Sequence, residues 1–441
     1  METLNDFNLP GLPKIVFGAG TFTGLPEIIR SYGRHALIVI GGESLVKSGR
    51  WNVLAKQLNQ TGLQYKAVSV RGEPTTKAID AIAKEYRKTP INVVVAIGGG
   101  SVIDCGKAVA AMLAMDGTVC DYLEGVGTKK PSDAKVPFIA VPTTAGTGSE
   151  ATKNAVVCNR KEGYKKSLRH DAYMPDVAVV DPELTLTMPR LITIACGLDA
   201  VSQLIESYTS TKADVSTDSL VLKALSFTSE SLLPLSLDHG NDISLRSKMS
   251  YAALVSGITL SRAGLGAVHG IAGPLGGLFP VPHGVACGKL LFPVMTFVIK
   301  KIIDEKNLVA QKRFADIGRI LTGDAGGDDI FYRETQILMR PKFQKQSMLK
   351  LVGRIIPLRS IAGQNNNPAA SGGFNNEDYT RGCKRFLDVL NTWTRTLKLP
   401  QLSYFGMTAA DMAKAISLAD SKNSPAVLSK EEMKTILEVV R

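Results

Sequence analysis

The chain has 441 residues, 44% of them hydrophobic and 21% charged, with six cysteines and a formal net charge of +12. This length exceeds one ordinary single-core domain, and the balance is that of a folded chain rather than a disordered one. No apolar run reaches the roughly 18 residues of a membrane helix, no basic-then-apolar leader opens the chain, and the cysteines are scattered, so a reduced, cytoplasmic protein with no membrane partner is expected.

The positive excess does not predict nucleic-acid binding. Half of it lies within residues 330–374, where seven basic side chains meet a single acid, Glu334. A local basic segment differs from the stripe across a folded face that phosphates require.

In chain order, apolar and β-branched runs predict strands at 36–40, 65–70, 92–97, 138–141 and 177–180. Helical spacing appears between them at 49–62 and 76–88, the alternation of βαβ units on a parallel sheet. Four of the five strands are apolar almost throughout, as strands buried on both faces should be. From about residue 189 strand-like runs cease, and amphipathic patterns at 192–210, 218–233 and 247–261 predict an all-helical second part. Residues 325–374 run from AGGDD through the basic stretch to GQNNNPAASGGF. That composition predicts a surface insertion, with one short helix around 344–356.

Two loops carry the first functional signal. After the strand NVVVAI come Gly98, Gly99, Gly100, Ser101, Val102, Ile103 and Asp104, and then a helical run. Strand, glycine turn and helix start aim backbone N–H groups at a pyrophosphate, and side chains there would hold the backbone away from the oxygens. The bland alternative is a simple turn. A second polar run, PTTAGTGSE at 142–150, also follows a strand, where ligand crevices of parallel sheets form. The bland alternative there is a Ser/Thr-rich turn with an N-cap.

A second constellation lies in the helical part. Asp199 and Gln203 are four apart and share one helix face. The chain has five histidines, and two of them, His269 and His283, are fourteen apart in glycine-rich apolar sequence. One histidine is commonly structural; this pair near a buried-looking aspartate is a candidate site.

GEPT at 72–75, GGGSVID at 98–104 and PTTAGTGSE at 142–150 resemble, in order and spacing, the cofactor-domain motifs of iron-containing (group III) alcohol dehydrogenases. The likeness runs from about residue 12 to 324 and resumes near 375. It implies an α/β Rossmann-like domain with a parallel sheet at 1–187 and an all-α metal and substrate domain at 188–441, with the active site in the cleft between them. It also implies that Gly99, Gly100 and Ser101 hold the pyrophosphate of NAD or NADP, with Gly41, Gly42, Gly98 and Asp104 in the same cofactor site. Thr143, Thr144, Thr147 and Ser149 would line the nicotinamide side. Many relatives place an acid after the first predicted strand to bind the adenosine ribose. Gly41 and Gly42 stand there instead, with Lys47 and Arg50 downstream, which leans the expectation toward NADP.

For the metal, the family pattern is Asp, His four residues later, His, and His fourteen further. Asp199, His269 and His283 match, and Gln203 occupies the second position. An amide oxygen is a weaker donor than imidazole, yet Asp/His/His remains a two-histidine, one-carboxylate set, so Fe(II) or Zn(II) is expected. Gly273 stands where many relatives carry a further active-site histidine, leaving proton relay to water, a ribose hydroxyl or another side chain. The implied activity is hydride transfer between a nicotinamide and a small alcohol or carbonyl substrate, in a homodimer or larger homo-oligomer. Asp199, His269 and His283 would form the catalytic set. Competing readings are a metal-free maleylacetate reductase-like enzyme using His269 and His283 as oxyanion donors, a dehydroquinate synthase-like lyase or cyclase, and a cofactor-binding relative without turnover.

Overall fold

The computed structural model describes residues 11–323 and 376–441. The expected insertion at 325–374, with its short helix, lies outside the described residues.

Strands β1 (Lys14–Phe17), β2 (His35–Gly41), β3 (Gln64–Val70), β4 (Val93–Gly98) and β5 (Phe138–Pro142) join β8 (Val177–Val180) in one six-stranded sheet. Its order is β1-β8-β5-β4-β2-β3, and every pairing is parallel. All five predicted strands are present. β2 shows why they read as uninterrupted apolar runs: Leu37 and Val39 enter one core cluster, while Ala36, Ile38 and Ile40 enter the cluster on the opposite face.

Helices cover both faces. Beyond the short α2 (Ser44–Lys47), α1 (Leu25–Arg30) and α3 (Arg50–Gln60) bury Leu25, Ile29, Leu54 and Leu58 on one side. On the other, α4 (Thr76–Tyr86) contributes Ile79 and Ala83, and α5 (Gly100–Met112) is buried along nearly its whole length. β1 was not foreseen. It is four residues long, largely exposed, and among the described residues pairs with β8 alone, so it carries no apolar periodicity. The antiparallel hairpin of β6 (Asn154–Asn159) and β7 (Tyr164–Arg169) was also missed, because its strands mix buried and exposed residues.

The topology locates a crevice. From β2 the chain moves outward to β3, then crosses back to place β4 on the other side of β2. The strand order therefore reverses between β2 and β4, and ligands of open α/β sheets bind outside the carboxyl ends of strands at such a point. Gly41 ends β2 and is followed by Gly42, and Gly98 ends β4 and is followed by Gly99.

From Arg190 onward the described chain is helical: α6 (Arg190–Thr209), α7 (Val215–Leu237), α8 (Ile243–Ala263), α9 (Ala267–Leu278), α10 (His283–Asp304), α11 (Leu308–Thr322), α12 (Asn376–Leu397), α13 (Ala409–Leu418) and α14 (Lys430–Val440). Predicted helices 192–210, 218–233 and 247–261 fall on α6, α7 and α8. The latter two start earlier because Asp214 and Asp242 cap their first turns, accepting from Ser216 N and from Ser244 and Leu245 N. α7 is long and apolar enough to cross a membrane by composition, but 56% of its most apolar window is buried within this fold.

The two parts meet at backbone contact. Gly148, at φ +61°, lies so close to α8 that a Cβ there would sit 2.4 Å from Gly257 N. A Cβ on Gly257 would in turn lie 2.1 Å from the Gly148 carbonyl oxygen. Beside this crossing, Ala151, Ala178 and Val180 pack with Leu254 and Ile258 of α8. Gly257→Ala is therefore expected to destabilise the protein by about 2–3 kcal/mol, since backbone rather than a flexible side chain must move. Gly273→Ala, which meets nothing within 4 Å, should be neutral or stabilising by up to about 1 kcal/mol. Thermal midpoints of the two variants, measured together, check the contrast.

Candidate active site

α6 carries a polar stripe through an apolar core. Asp199, Gln203 and Glu206 lie at i, i+4 and i+7, and all three are buried. Helical periodicity puts them on one face. α9 brings His269 and α10 opens with His283, so three helices converge on Asp199.

His269 Nε2 lies 3.3 Å from Asp199 Oδ1, and His283 Nε2 lies 3.7 Å from the same oxygen. The other nitrogen of His269, Nδ1, is 2.6 Å from Glu206 Oε2, while Glu206 Oε1 accepts from Val268 N. A carboxylate behind a histidine in this way fixes the ring and the tautomer that leaves Nε2 free to ligate. Glu206 was not singled out in the sequence; its signal was its place seven residues after Asp199.

Cys287 was also missed. It follows His283 by one helical turn, and its Sγ lies 3.5 Å from His269 Nε2 and 3.6 Å from His283 Nε2. Ligand atoms of Asp199, His269, His283 and Cys287 all fall within 4.8 Å of one another. Gln203 sits on the same α6 face, with Oε1 accepting from the Ser256 hydroxyl at 2.7 Å.

Charge and burial oppose each other throughout this cluster. Burial works against ionisation of Asp199, but His283 and His269 outweigh it and hold the carboxyl down to about 2. Burial likewise opposes the charge on His269, yet Cys287, Glu206 and Asp199 raise its pKa well above the ordinary histidine range. His283, whose Nδ1 is buried with no partner among the described residues, is pushed down by burial to about 4. Burial pushes the Cys287 thiol up to about 12. An anion facing two imidazole nitrogens and a sulfur, with one imidazole backed by a second carboxylate, is a donor set that fits a divalent cation.

The glycine loops lie where the sheet topology puts its crevice, but the reason for the glycines is partly internal. A Cβ on Gly98 would lie 2.6 Å from Val102, one on Gly41 would lie 2.9 Å from the same side chain, and one on Gly100 would lie 2.5 Å from Thr147. These glycines let the first turn of α5 close on the strand ends and on the loop after β5. Gly99 caps α5 without a side-chain hydrogen bond and is bordered by Thr144. Thr143 N donates to the Gly98 carbonyl, which joins the two loops directly.

Asp104 and Ser149 are turned to the protein's own use. The Asp104 carboxylate, buried in α5, accepts from Val156 N at 3.0 Å. Lys107 is buried beside it and donates to the carbonyls of Ser149, Thr152 and Asn154, fixing the far end of the PTTAGTGSE loop. Lys47 and Arg50, the bases expected near the ribose, are engaged. Lys47 lies 2.6 Å from Glu43, and Arg50 donates to the Glu183 carbonyl at 2.7 Å. Glu43, one residue beyond Gly42, is an acid at this strand end that the sequence reading passed over.

A parallel α/β half with glycine loops at its switch point, facing a helical half with an Asp/His/His/Cys cluster, defines a two-part nucleotide and metal enzyme. The comparisons with known proteins give its family. The model described as iron-containing alcohol dehydrogenase matches residues 13–182, and that of the family's C-terminal region matches residues 193–340. The probable alcohol dehydrogenase EutG of Salmonella typhimurium is 33% identical over 329 residues, covering 74% of this chain and 80% of that protein. The NAD-dependent methanol dehydrogenase of Bacillus methanolicus is 31% identical over 327 residues, covering 74% and 82%. Among solved structures, the archaeal halo-thermophilic Red Sea brine pool alcohol dehydrogenase ADH/D1 superposes with a TM-score of 0.79 at 25% identity, covering 100% of both chains. The chain belongs to the iron-containing alcohol dehydrogenase family, and it is a nicotinamide-dependent oxidoreductase of alcohols and aldehydes.

Glu150 of the same loop yields a pH prediction. It is buried, which pushes its carboxyl up to about 7 against the opposing charge of Lys107. Its folded pKa exceeds the unfolded value, so its contribution to stability is complete below about pH 4.5 and is lost as pH rises through 7. Glu150→Gln, neutral at every pH, should flatten that decline and be more stable than wild type at about pH 8, by on the order of 2–3 kcal/mol. Urea midpoints at about pH 5 and pH 8 test it, and parallel pH profiles for the two proteins would reject it.

Proposed function

We propose that residues 1–187 bind NAD or NADP, and that residues 188–441 hold Fe(II) or Zn(II) together with a small alcohol or carbonyl substrate. Asp199, His269 and His283 are the residues at the reacting oxygen. The observation that carries this reading is the convergence of those three side chains, from three helices, on one buried point. A cytoplasmic enzyme fits the same reading, with its six cysteines free and its apolar α7 packed into the fold, and a homodimer or larger homo-oligomer is part of the proposal.

Bound at this cluster, a divalent cation would supply a Lewis acid for the substrate oxygen, while the nicotinamide supplies or accepts hydride at the neighbouring carbon. Asp199 contributes the negative charge that favours the cation. Glu206 holds the His269 ring so that Nε2 faces Asp199. The uncapped first turn of α5, at Gly99, Gly100 and Ser101, offers backbone N–H groups to a pyrophosphate. Thr143, Thr144 and Thr147, on the loop joined to that turn, take the nicotinamide side, with Asp104, Lys107 and Ser149 positioning the loop. Gly273, one turn after His269 on α9, has open space beside it. That space gives substrate room and leaves the proton of the substrate hydroxyl to water or a cofactor hydroxyl.

A metal-free reductase, with His269 and His283 as hydrogen-bond donors to an oxyanion, is the second reading, favoured by the weak donor Gln203. Metal content and turnover separate the two. Asp199→Ala should abolish metal binding and turnover together, because it removes the anionic ligand. Gln203→His should raise affinity by about tenfold or more, about 1.4 kcal/mol. Undiminished turnover in wild type stripped of metal would reject the metal-assisted mechanism while leaving the family assignment standing.

Cofactor choice turns on the end of β2. A side chain at Gly41 would collide with Val102, whereas Gly42, at φ +23°, has open space. Gly42→Asp is expected to weaken NADP relative to NAD by about tenfold, through repulsion of the 2′-phosphate. Gly42→Asn shares the backbone strain without the charge and should leave the ratio unchanged. Equal NADP/NAD ratios in all three proteins would place the ribose elsewhere.

A further inference from the structure

Cys287 has no part in the reading above, yet it is the fourth member of the cluster. It is fully buried on α10, and its neighbours there are His269 and His283 rather than apolar side chains alone. A thiol used as a plain hydrogen-bond donor satisfies one acceptor with its single hydrogen. Here Sγ faces the Nε2 atoms of two histidines at nearly equal distance, and those two nitrogens also face Asp199 Oδ1. One hydrogen bond accounts for one of these approaches. A shared cation accounts for all of them.

The position of Gln203 points the same way. Its amide oxygen already accepts from the Ser256 hydroxyl, so the second polar residue of the α6 stripe is occupied. α10, by contrast, presents two donors one turn apart, His283 and Cys287, in the i,i+4 relation that lets both reach one point.

Resting on the metal-assisted reading, we propose that the Cys287 thiolate is the fourth protein ligand of the cation. The site would then be Asp199/His269/His283/Cys287, drawing two donors from α10 and one each from α6 and α9. On coordination the metal–sulfur bond forms as the S–H bond breaks, and the proton leaves to solvent; nothing is oxidised or reduced. A thiolate among nitrogen and oxygen donors softens the set and favours zinc over iron(II).

The test uses the purified full-length chain loaded with Co(II), whose bond to a thiolate gives an intense near-ultraviolet charge-transfer band absent from purely nitrogen and oxygen sites. Wild type should show the band. Cys287→Ser and Cys287→Ala should lose it, bind Co(II) and Zn(II) at least tenfold more weakly, and show a reduced preference for zinc over iron. Cys383→Ser, at a buried cysteine of α12 whose thiol donates to the Gln311 carbonyl of α11, should keep the band. Cobalt uptake by wild type without the band, or unchanged affinity and metal preference in both Cys287 variants, overturns the assignment and leaves the Asp/His/His reading intact. No cobalt uptake by wild type overturns both.

Discussion

A carboxylate with almost no solvent exposure sits near the middle of the helical half, and much of the architecture there answers to it. An isolated buried carboxylate costs several kcal/mol and would otherwise take up a proton. Asp199 is held ionised because two imidazoles face it, and each arrives on a different helix. α9 must therefore start, and α10 must open, against the same face of α6. Glu206 ties the first of these junctions by accepting from both Val268 N and the His269 ring. The cluster is a constraint on helix placement before it is a site of chemistry.

The second constraint is the seam between the halves. A hydride donor on one side must meet a polarised carbon on the other, so the cofactor crevice has to be registered against Asp199 within fractions of an ångström. Here the registration is made through backbone. The loop after β5 touches β4 at the Thr143–Gly98 hydrogen bond and α8 at the Gly148–Gly257 crossing, and a Cβ on Gly146 would meet Cys196 of α6. Lys107, reaching from the interior of α5, holds the carbonyls at the far end of the loop. Backbone-to-backbone seating leaves little slack, which suits a loop proposed to hold the nicotinamide.

These two constraints separate roles that one motif seems to unite. In GGGSVID, Gly98 and Gly100 serve close packing against Val102 and Thr147, Gly99 opens α5, and Asp104 serves the hairpin strand β6 through Val156. Most residues of such a motif can thus owe their identity to the building of the loop.

The sequence by itself determined the local and periodic features. Uninterrupted apolar runs specify strands buried on both faces, and the glycine and hydroxyl runs stand at the ends of β4 and β5; helices were expected where α6, α7 and α8 lie, although α6 is buried on nearly all sides rather than along one stripe. Asp199, His269 and His283 were legible from residue type and spacing, with a family resemblance to order them. Tertiary structure alone decided what depends on long-range proximity. Glu206 meets His269 across 63 residues and Cys287 meets it across 18, distances at which no periodicity links the partners. The same holds for Arg50, which donates to the Glu183 carbonyl 133 residues away, and for β1, which pairs with the edge that β8 offers; the Lys47–Glu43 pair, by contrast, is local, four residues apart. Chemical type is carried by each residue, whereas a ligand set is a meeting of several elements, and only packing brings them together.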